Sequence, residues 1–254
     1  MKRFAGKVAL VTGATTGIGQ ATAVRLASEG AVVAVNRKPG LDATETLAMV
    51  KAAGGEAFDI EADMRDPAAV KAMVQEAARR GGRLDYVVSN AAINPFMPWD
   101  ATDIEDFNEL FEVNVRGSWV VCTEGARQMI AEKHGGAIVM ISSISAHVGS
   151  PTQVAYCGTK GAITMLGKAL GSVLGNHGIR VNVVEPGAVR TNMSAPMFEM
   201  PDVVKYYEDR IALHRVAEPS ELAATVAFLL SDDASYVTSA SLLVDAGFIV
   251  NAEL

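Results

Sequence analysis

The sequence predicts an α/β fold in which helices cover both faces of a parallel sheet of about seven strands. Two observations carry this prediction. Short apolar runs of strand length alternate along the chain with longer segments whose apolar residues recur at helical spacing. No linker, like-charge block or internal repeat interrupts the alternation, and 254 residues with 50% hydrophobic side chains suffice for one substantial core. We therefore expect residues 1–254 to form a single doubly wound domain of the Rossmann type.

The elements follow in order from these patterns. The first apolar run ends at a glycine-rich turn, and Pro67 suits the first turn of a later helix. The segment 191–215 has weak periodicity with several Met and Pro residues, so we expect a mobile substrate loop there. Strands are predicted at 7–12, 31–35, 57–60, 84–89, 137–142, 180–184 and 241–244. Helices are predicted at 18–29, 43–53, 67–80, 104–131, 156–176 and 221–230.

The turn between the first strand and the first helix predicts a dinucleotide site. Its glycines let the backbone approach a pyrophosphate, whose charge the N-terminus of the following helix stabilises. Because glycines also mark ordinary turns, the strand-to-helix context carries the prediction. The residues expected to contact the cofactor here are Gly13, Thr15, Thr16, Gly17, Ile18 and Gly19.

Tyr156 and Lys160 predict an acid/base pair. Residues four apart on a helix share a face, so the Lys160 ammonium can lie close to the Tyr156 phenol. A free tyrosine has a pKa of about 10, and a neighbouring cation stabilises the phenolate, which favours proton exchange nearer neutral pH. This spacing also arises by chance in many helices. Ser143, thirteen residues upstream, and the dinucleotide turn favour the catalytic interpretation.

Composition excludes several classes of function. A net charge of −7 argues against nucleic acid as the main partner. No apolar run reaches about eighteen residues, so no membrane-spanning helix is expected. Residues 1–4 are basic but lead directly into the first strand without a cleavable apolar region, and we expect a cytoplasmic protein. Cys122 and Cys157 are expected to fill small positions rather than form a disulfide, and no metal site is expected.

Seven motifs follow one another along the chain, each at a predicted strand end or in the helix after it. They are Thr12-Gly13-x-x-x-Gly17-Ile18-Gly19, Asp63-Met64, Asn90-Ala91-Ala92, Asn114-Val115-x-Gly117, Ser142-Ser143, Tyr156-x-x-x-Lys160 and Pro186-Gly187-x-Val189-x-Thr191. Together they resemble the short-chain dehydrogenase/reductase family over essentially the whole chain. The resemblance implies an oxidoreductase that transfers hydride between a nicotinamide cofactor and a secondary alcohol or carbonyl.

The resemblance implies four catalytic residues. Tyr156 would exchange a proton with the substrate oxygen, and Lys160 would lower its pKa and hydrogen-bond the nicotinamide ribose. Ser143 would polarise the substrate oxygen as charge develops. Asn114 would hold a water that links Lys160 to solvent. A side-chain-to-backbone bond that bends its helix is the alternative for Asn114, and it is compatible with that role.

The resemblance also implies the rest of the cofactor wall. Asp63 would accept a hydrogen bond from the adenine, with Met64 beside it, although Asp63 could instead cap the helix that begins near Pro67. The remaining implied cofactor residues are Asn90, Ala91, Ala92, Pro186, Gly187, Val189 and Thr191. Ala92 and Ala246 stand where the family usually has glycine, so we expect slightly altered packing at those positions.

The end of the second strand bears on cofactor choice. Relatives that use NAD usually place a carboxylate there, but this chain has Asn36-Arg37-Lys38. Two cations, Arg37 and Lys38, would meet a 2′-phosphate, so NADP(H) is favoured over NAD(H), with dual use possible. Thr16 weakens this prediction, because NADP-preferring relatives often have Arg or Lys at that position. The alternative is that both cations only belong to a solvated turn.

The substrate is less clearly indicated. Asn94, Ser145, His147 and Gln153 could bind hydroxyl groups, although His147 could equally be a surface loop residue. Methionines and an aromatic residue after residue 191 could accommodate an acyl chain; they are Met193, Met197, Phe198 and Met200. The chain resembles bacterial sugar dehydrogenases, such as glucose 1-dehydrogenases, and nearly as well 3-oxoacyl carrier-protein reductases. We expect a sugar or polyol; the non-enzymatic alternative is a dinucleotide-sensing scaffold.

Glycines recur along the helix predicted at 156–176, at Gly158, Gly161, Gly167, Gly171 and Gly175. Each interior glycine costs a helix roughly 0.8–1.0 kcal/mol relative to alanine, which indicates close packing. The last three recur every four residues on one face, where another helix could approach. The family resemblance implies pairing of this helix across a dimer axis, and tight packing within the monomer is the alternative. We expect a homotetramer.

Overall fold

The computed structural model describes residues 2–251, so Met1 and residues 252–254 of the predicted domain lie outside the described part of the chain. Its centre is a parallel sheet with the strand order β3-β2-β1-β4-β5-β6-β7. The strands are β1 Val8–Val11, β2 Val32–Arg37, β3 Glu56–Glu61, β4 Tyr86–Ser89, β5 Gly136–Ile141, β6 Ile179–Pro186 and β7 Ser241–Val244. The order reverses between β1 and β4, which confirms the predicted doubly wound class.

Helices cover both faces of this sheet. They are α1 Gly17–Ser28, α2 Thr44–Ala52, α3 Pro67–Gly81, α4 Ile104–Leu110, α5 Ser118–Glu132, α6 Val154–Leu174, α7 Ala195–Phe198, α8 Pro201–Arg210 and α9 Pro219–Leu230. Most bounds agree with the predicted ranges to within a few residues, as expected for helix ends. Within residues 2–251, no helix combines the length and the apolar character that crossing a bilayer requires.

The sheet separates two cores, because successive side chains of a strand point to opposite faces. On β1, Ala9 and Val11 join the core beneath α1, α2 and α9, whereas Leu10 joins the core beneath α3, α5 and α6. All three side chains are fully buried. Burial on both faces explains why the strands read as nearly continuous apolar runs in the sequence.

The predicted helix 104–131 is interrupted. Between α4 and α5 the backbone forms a π-helical segment, Phe111–Gly117, which contains the buried Asn114. Gly117 passes so close to the loop after β3 that a Cβ atom would lie 2.8 Å from the Met64 carbonyl oxygen. The wider turn therefore lets the helix pass this loop, and π segments of this kind are frequent at functional sites.

The segment 191–215 is not a structureless loop, contrary to its weak periodicity. It contains α7 and α8, each with a proline in its first turn, Pro196 and Pro201. Neither helix has a buried residue, and α7 spans only four residues. Helices of four and ten residues contain only one to three turns of the apolar periodicity that identifies longer helices in a sequence.

The glycine face of α6 packs within the chain rather than toward solvent. A Cβ atom on Gly167 would collide with Val183 of β6, and one on Gly171 would lie 2.7 Å from the backbone nitrogen of Ser239. Gly175 meets nothing within 4 Å. The proposed helix approach across Gly167 and Gly171 is therefore wrong, because β6 and the segment before β7 already occupy that space; the tetramer stays a prediction.

Candidate active site

A cleft runs along the carboxyl ends of the strands from β3 to β6, where a doubly wound sheet binds its ligands. Most predicted site residues line it. They are Gly13, Thr15, Thr16, Gly17, Ile18, Lys38, Asp63, Met64, Asn90, Ala91, Ala92, Asn94, Ser143, Ser145, Gln153, Tyr156, Lys160, Pro186, Gly187, Val189, Thr191 and Met193. Five predicted residues do not line the cleft, namely Gly19, Arg37, Asn114, His147 and Met200. The first four have other roles in the structure, whereas Met200 lies directly before α8 and is about half exposed.

The glycine-rich turn leads from β1 into α1. Gly13 and Gly17 have φ angles of 60° and 57°, a region that favours glycine. A Cβ atom on Gly13 would lie 2.9 Å from the Ala91 Cα, so the turn packs directly on the loop after β4. Thr16 precedes α1 without a side-chain cap, which leaves first-turn N–H groups available to an anion such as a pyrophosphate.

Gly19 supports the turn from inside. A Cβ atom there would collide with the Gly13 carbonyl oxygen and would lie 2.6 Å from Asn90 Nδ2. Asn90 in turn donates to the carbonyl oxygens of Thr12 (2.9 Å) and Gly13 (3.1 Å). These contacts make Gly19 a packing residue of the turn rather than a lining residue of the cleft.

Asn36, at the end of β2, fixes the same turn from the other side. Its Oδ1 accepts a hydrogen bond from the Gly13 backbone N–H (3.1 Å), and its Nδ2 donates to the Ala62 carbonyl oxygen (3.1 Å). The side chain is buried and lines the cleft. In the sequence, Asn36 stands out only as the residue before two cations, so this role could not be predicted from its position.

Arg37 does not reach the cleft, which corrects its predicted place in the cofactor site. Its guanidinium pairs with Asp59 (2.8 Å) and with Glu61, both on β3. Alternation along β2 explains this, because Asn36 and Arg37 must point to opposite faces. Lys38, beyond the strand end, lines the cleft. The alternation of side-chain direction along a strand was the signal that could have shown that Arg37 points away from the face of Asn36.

Asp63 lines the cleft at the end of β3 and belongs to an ion pair. Arg65 Nη2 lies 2.6 Å from Asp63 Oδ2, and the Arg65 backbone N–H donates to Asp63 Oδ1 (2.9 Å). The Arg65 side chain holds the pKa of Asp63 below its ordinary value. Asp66, not Asp63, caps α3 by accepting from the Ala68 and Ala69 N–H groups, so the capping alternative for Asp63 is wrong.

The structure brings Ser143, Tyr156 and Lys160 together at the centre of the cleft. Ser143 follows β5, whereas Tyr156 and Lys160 lie one turn apart on α6 and are both buried. Lys160 Nζ lies 5.4 Å from the centre of the Tyr156 ring and donates to the Ile141 carbonyl oxygen at 2.9 Å. A hydroxyl, a phenol and an ammonium therefore converge where a substrate oxygen could be bound and exchange a proton.

Burial is the largest cause of the pKa shifts of Tyr156 and Lys160. It raises the pKa of Tyr156 well above its ordinary value, against a smaller lowering by the Ser143 hydroxyl. It also lowers the pKa of Lys160 to about 8. The expected depression of the Tyr156 pKa by Lys160 is thus absent in this structure, because the buried site disfavours both charged forms and the ammonium donates to Ile141.

Asn114 connects two elements of the site by side-chain hydrogen bonds. Its Oδ1 accepts from the Ile93 backbone N–H (2.9 Å), and its Nδ2 donates to the Ile93 carbonyl oxygen (3.0 Å) and to Thr159 Oγ1 (3.2 Å). Asn114 thereby ties the loop after β4 to α6, the helix of Tyr156. This brace is a different side-chain bond from the local helix-bending one considered in the sequence analysis.

The substrate end of the cleft lies beyond Tyr156, and two kinds of side chain line it. The polar ones are the predicted Asn94, Ser145 and Gln153. The apolar and aromatic ones include Phe96 and Tyr207, which sequence reasoning missed, as well as Met193, Met197 and Phe198. Phe96 and Tyr207 come from segments without a motif, so only the folded chain reveals them.

His147 is turned away from this end, which corrects its predicted place in the pocket. Its Nε2 lies 2.8 Å from Glu185 Oε2, and the carboxylate is buried at the end of β6. The surface-loop alternative describes it only in part, since the imidazole is 38% exposed but engaged.

Known proteins share this architecture. A protein-family model described as enoyl-(acyl carrier protein) reductase matches residues 13–249. The chain is 39% identical to an L-rhamnose 1-dehydrogenase (NAD(P)(+)) of Sphingomonas sp. (strain SKA58), with 100% of both chains covered. It is 36% identical to a glucose 1-dehydrogenase of Gluconobacter oxydans (strain 621H), with 96% of this chain and 92% of that relative covered.

A solved structure agrees with the sequence relatives. A short-chain type dehydrogenase/reductase from Mycobacterium marinum superposes with a TM-score of 0.92 at 32% identity, and 96% of each chain is covered. The seven-stranded parallel sheet flanked by helices is therefore a fold that this chain shares with a solved member of that family. The chain belongs to the short-chain dehydrogenase/reductase family and is an NAD(P)-dependent oxidoreductase.

Proposed function

We propose that this enzyme oxidises the anomeric hydroxyl of an aldose to the lactone, with NADP(+) as the preferred hydride acceptor. The observation that carries the proposal is the mixed lining beside Tyr156, where hydroxyl- and amide-bearing side chains face the same space as the catalytic group. Relatives named L-rhamnose 1-dehydrogenase and glucose 1-dehydrogenase support it.

Each catalytic side chain has one task in this reaction. Tyr156, as the phenolate, takes the proton of the C1 hydroxyl and becomes the neutral phenol, while Ser143 holds that oxygen by a hydrogen bond. The Lys160 ammonium, 5.4 Å from the centre of the Tyr156 ring, stabilises that phenolate before the proton is taken. Asn114 keeps α6 and the loop after β4 in register. The cofactor, when bound, supplies the acceptor for the C1 hydride.

Asn94 is the strongest single pointer to a hydroxylated substrate. Its Oδ1 is buried and has no hydrogen-bond partner among residues 2–251. An acceptor left in this state costs about 1–3 kcal/mol, which a donor from a ligand would recover. A sugar hydroxyl is such a donor, and a simple acyl chain is not.

The apolar part of the lining favours a 6-deoxy sugar within this class. Met193, Met197 and Phe198 offer a surface that no hydroxyl can satisfy. A 6-deoxyaldose such as L-rhamnose presents a methyl group opposite its ring hydroxyls. Both surfaces of the pocket then have a matching surface on the substrate.

The preference for NADP(+) is proposed on Lys38. This ammonium lines the cleft near the end of β2, where no carboxylate among the lining residues 36, 38 and 41 would repel a 2′-phosphate. Arg37 is already paired with two carboxylates. One cation rather than two leaves room for NAD(+) as a second cofactor.

A ketone or 3-oxoacyl reductase is the second candidate. The apolar residues at the substrate end and the description of the matching family model favour it. In that direction Tyr156 would give its proton to the carbonyl oxygen. The unpartnered Oδ1 of Asn94 is the feature that such a substrate would leave unexplained.

A matched substrate panel tests the proposal. Purified enzyme is assayed at 340 nm with NADP(+) and NAD(+) on L-rhamnose, L-mannose, D-glucose, a polyol and a secondary alcohol, and in reverse on an acetoacetyl thioester. L-Rhamnose and L-mannose differ only at C6. A higher kcat/KM for L-rhamnose would therefore measure the contribution of the apolar lining formed by Met193, Met197 and Phe198. Turnover of the thioester without turnover of any aldose would overturn the proposal in favour of the reductase.

We also propose a homotetramer, which needs two different self-complementary faces. One candidate face is built from α4, α5 and α6, where exposed apolar side chains include Phe107, Trp119, Met165 and Val173. The other lies at the free edge of the sheet, where Tyr236 and Leu242 are exposed beside β7. Light scattering at micromolar concentration tests this, and a monomeric mass would contradict it.

A cytoplasmic location is proposed as well. Cys122 and Cys157 are both free thiols, in keeping with a reducing compartment. Activity confined to a secreted fraction after cell fractionation would contradict this.

A further inference from the structure

Glu185 is a buried carboxylate that the proposed reaction does not use. It lies at the end of β6, directly before the cofactor-wall residues Pro186 and Gly187, and its side chain is 2% exposed. It does not line the cleft. A carboxylate in such a place needs hydrogen-bond donors or a cation, because its desolvation is costly.

The donors come from two other elements. The Thr164 hydroxyl, on α6, lies 2.8 Å from Glu185 Oε1, and His147 Nε2 lies 2.8 Å from Oε2. Either the neutral Nε2–H tautomer or the imidazolium can make the second bond. Within residues 2–251, His147 is the basic side chain paired with Glu185.

These contacts continue toward the catalytic group. Thr164 Oγ1 also lies 2.9 Å from Ser142 Oγ, and Ser142 donates to the Lys160 carbonyl oxygen at 2.8 Å. Ser142 directly precedes Ser143. His147 stands in the loop 143–153, whose Ser143, Ser145 and Gln153 line the cleft. Glu185 therefore joins the end of β6, the helix of Tyr156 and the loop that carries the polar substrate contacts.

We propose that Glu185 is a positioning residue, which anchors the loop 143–153 through His147 and thereby sets the substrate end of the active site. Loss of His147 would leave the carboxylate buried without its basic partner, so the loop would shift or water would enter. Ser145 and Gln153 would then be misplaced relative to Tyr156. Cofactor contacts on β1, β2 and β4 would be unaffected, since no bond of the network reaches them.

The test uses His147→Ala, Glu185→Gln and the double variant. The matched control is His134→Ala, because His134 makes the same kind of contact with Glu132 (2.7 Å) far from the cleft. Amide exchange is followed by mass spectrometry on the loop, NADPH affinity by fluorescence, and kcat and KM on the best aldose. The proposal relies on the proposed function only for that last assay, so a failure to turn over sugars leaves exchange and affinity to decide it.

His147→Ala should speed exchange of the loop amides at Ala146, His147 and Val148, which are hydrogen-bonded within the loop. The KM of the sugar should rise about 10- to 100-fold, as for a misplaced binding group, with NADPH affinity within twofold of the parent. Glu185→Gln should keep most activity, because the amide oxygen can still accept from His147 while the amide nitrogen donates to Thr164, and no charge is buried. In that background His147→Ala should cost much less.

Three results would overturn the proposal. A folded His147→Ala enzyme with parental loop exchange would show that the pair does not anchor the loop. An equal loss of NADPH affinity would indicate general destabilisation. Effects of the two substitutions that simply multiply would show that Glu185 and His147 do not act on each other.

Discussion

The two ends of the cleft are built in different ways. At the cofactor end, Gly13 touches the backbone of Ala91, and Asn36 and Asn90 bind backbone groups of the same turn. At the substrate end, side chains from separate segments face one another, and α7 and α8 have no buried residue. The cofactor end is thus held by backbone contacts that tolerate little change. The substrate end depends on side chains that can vary while the sheet stays intact.

The largest expected effect is that of replacing Tyr156, which lies between the cofactor end and the substrate end of the cleft. Tyr156→Phe keeps the ring and its packing but removes the group that exchanges the substrate proton. We expect kcat to fall about 10²–10⁴-fold with NADPH affinity nearly unchanged. Tyr236→Phe, at a fully exposed tyrosine, is the control. Near-parental turnover by Tyr156→Phe would assign the proton step to Ser143 or a bound water.

The buried amine of Lys160, which lies between the two ends of the cleft, should make the free energy of unfolding depend on pH. Burial lowers its pKa from 10.5 to about 8. Between these pH values the unfolded chain holds a proton on this lysine that the folded chain has lost, so the free energy of unfolding rises with pH. Relative to Lys160→Met, the parent should gain up to about 3 kcal/mol between pH 8 and 10.5. Urea titrations of both proteins at several pH values, without cofactor, measure it. A pH-independent difference would mean that the buried amine titrates normally.

Two matched glycine-to-alanine substitutions compare how well the cofactor end and the substrate end of the cleft tolerate an added methyl group. Gly19→Ala places a methyl group against Gly13 and Asn90, whereas Gly149→Ala, in the loop 143–153, meets nothing within 4 Å. Overpacking of this kind costs about 1–3 kcal/mol, so Gly19→Ala should lower Tm and weaken NADPH binding. Gly149→Ala should change neither. Equal tolerance at both sites would refute the rigid character assigned to the cofactor end.

The smallest expected effect concerns cofactor choice. Lys38→Ala should lower the NADP/NAD ratio of kcat/KM about tenfold, because one charge-assisted contact to the 2′-phosphate is lost. Arg37→Ala should leave the ratio nearly unchanged, since that guanidinium is bound to Asp59 and Glu61. The reverse result would show that Arg37 leaves β3 when the cofactor binds.

The sequence was sufficient where a function depends on local geometry. The glycine turn between β1 and α1 and the pair Tyr156 and Lys160 on α6 are specified by short-range spacing, and apart from Gly19 their predicted residues line the cleft. It was insufficient where neighbours come from distant segments. The bond between His147 and Glu185 joins residues 38 positions apart, and no pattern in the chain signals it.

Two misassignments have simple physical causes. Arg37 was chosen for its charge, although alternation along β2 already assigned it to the face away from the cleft. The interruption at Phe111–Gly117 was missed, because its apolar spacing still satisfies a helix and it contains no proline. The contacts that accompany it are long-range, since Gly117 passes close to Met64 and the Asn114 amide binds the Ile93 backbone.

The π-helical segment also makes the residue count between α4 and α5 a constraint on engineering. A π turn spans one residue more than an α turn. Deleting a single residue from Phe111–Gly117 would restore an ordinary helix, and α4 and α5 would keep their relative faces, because the wide turn absorbs the extra residue. Only the side chains inside the segment would be displaced, so Asn114 would lose its hydrogen bonds to the Ile93 backbone. Chimeras that exchange α4 between related enzymes must therefore preserve this extra residue as well as Asn114 itself.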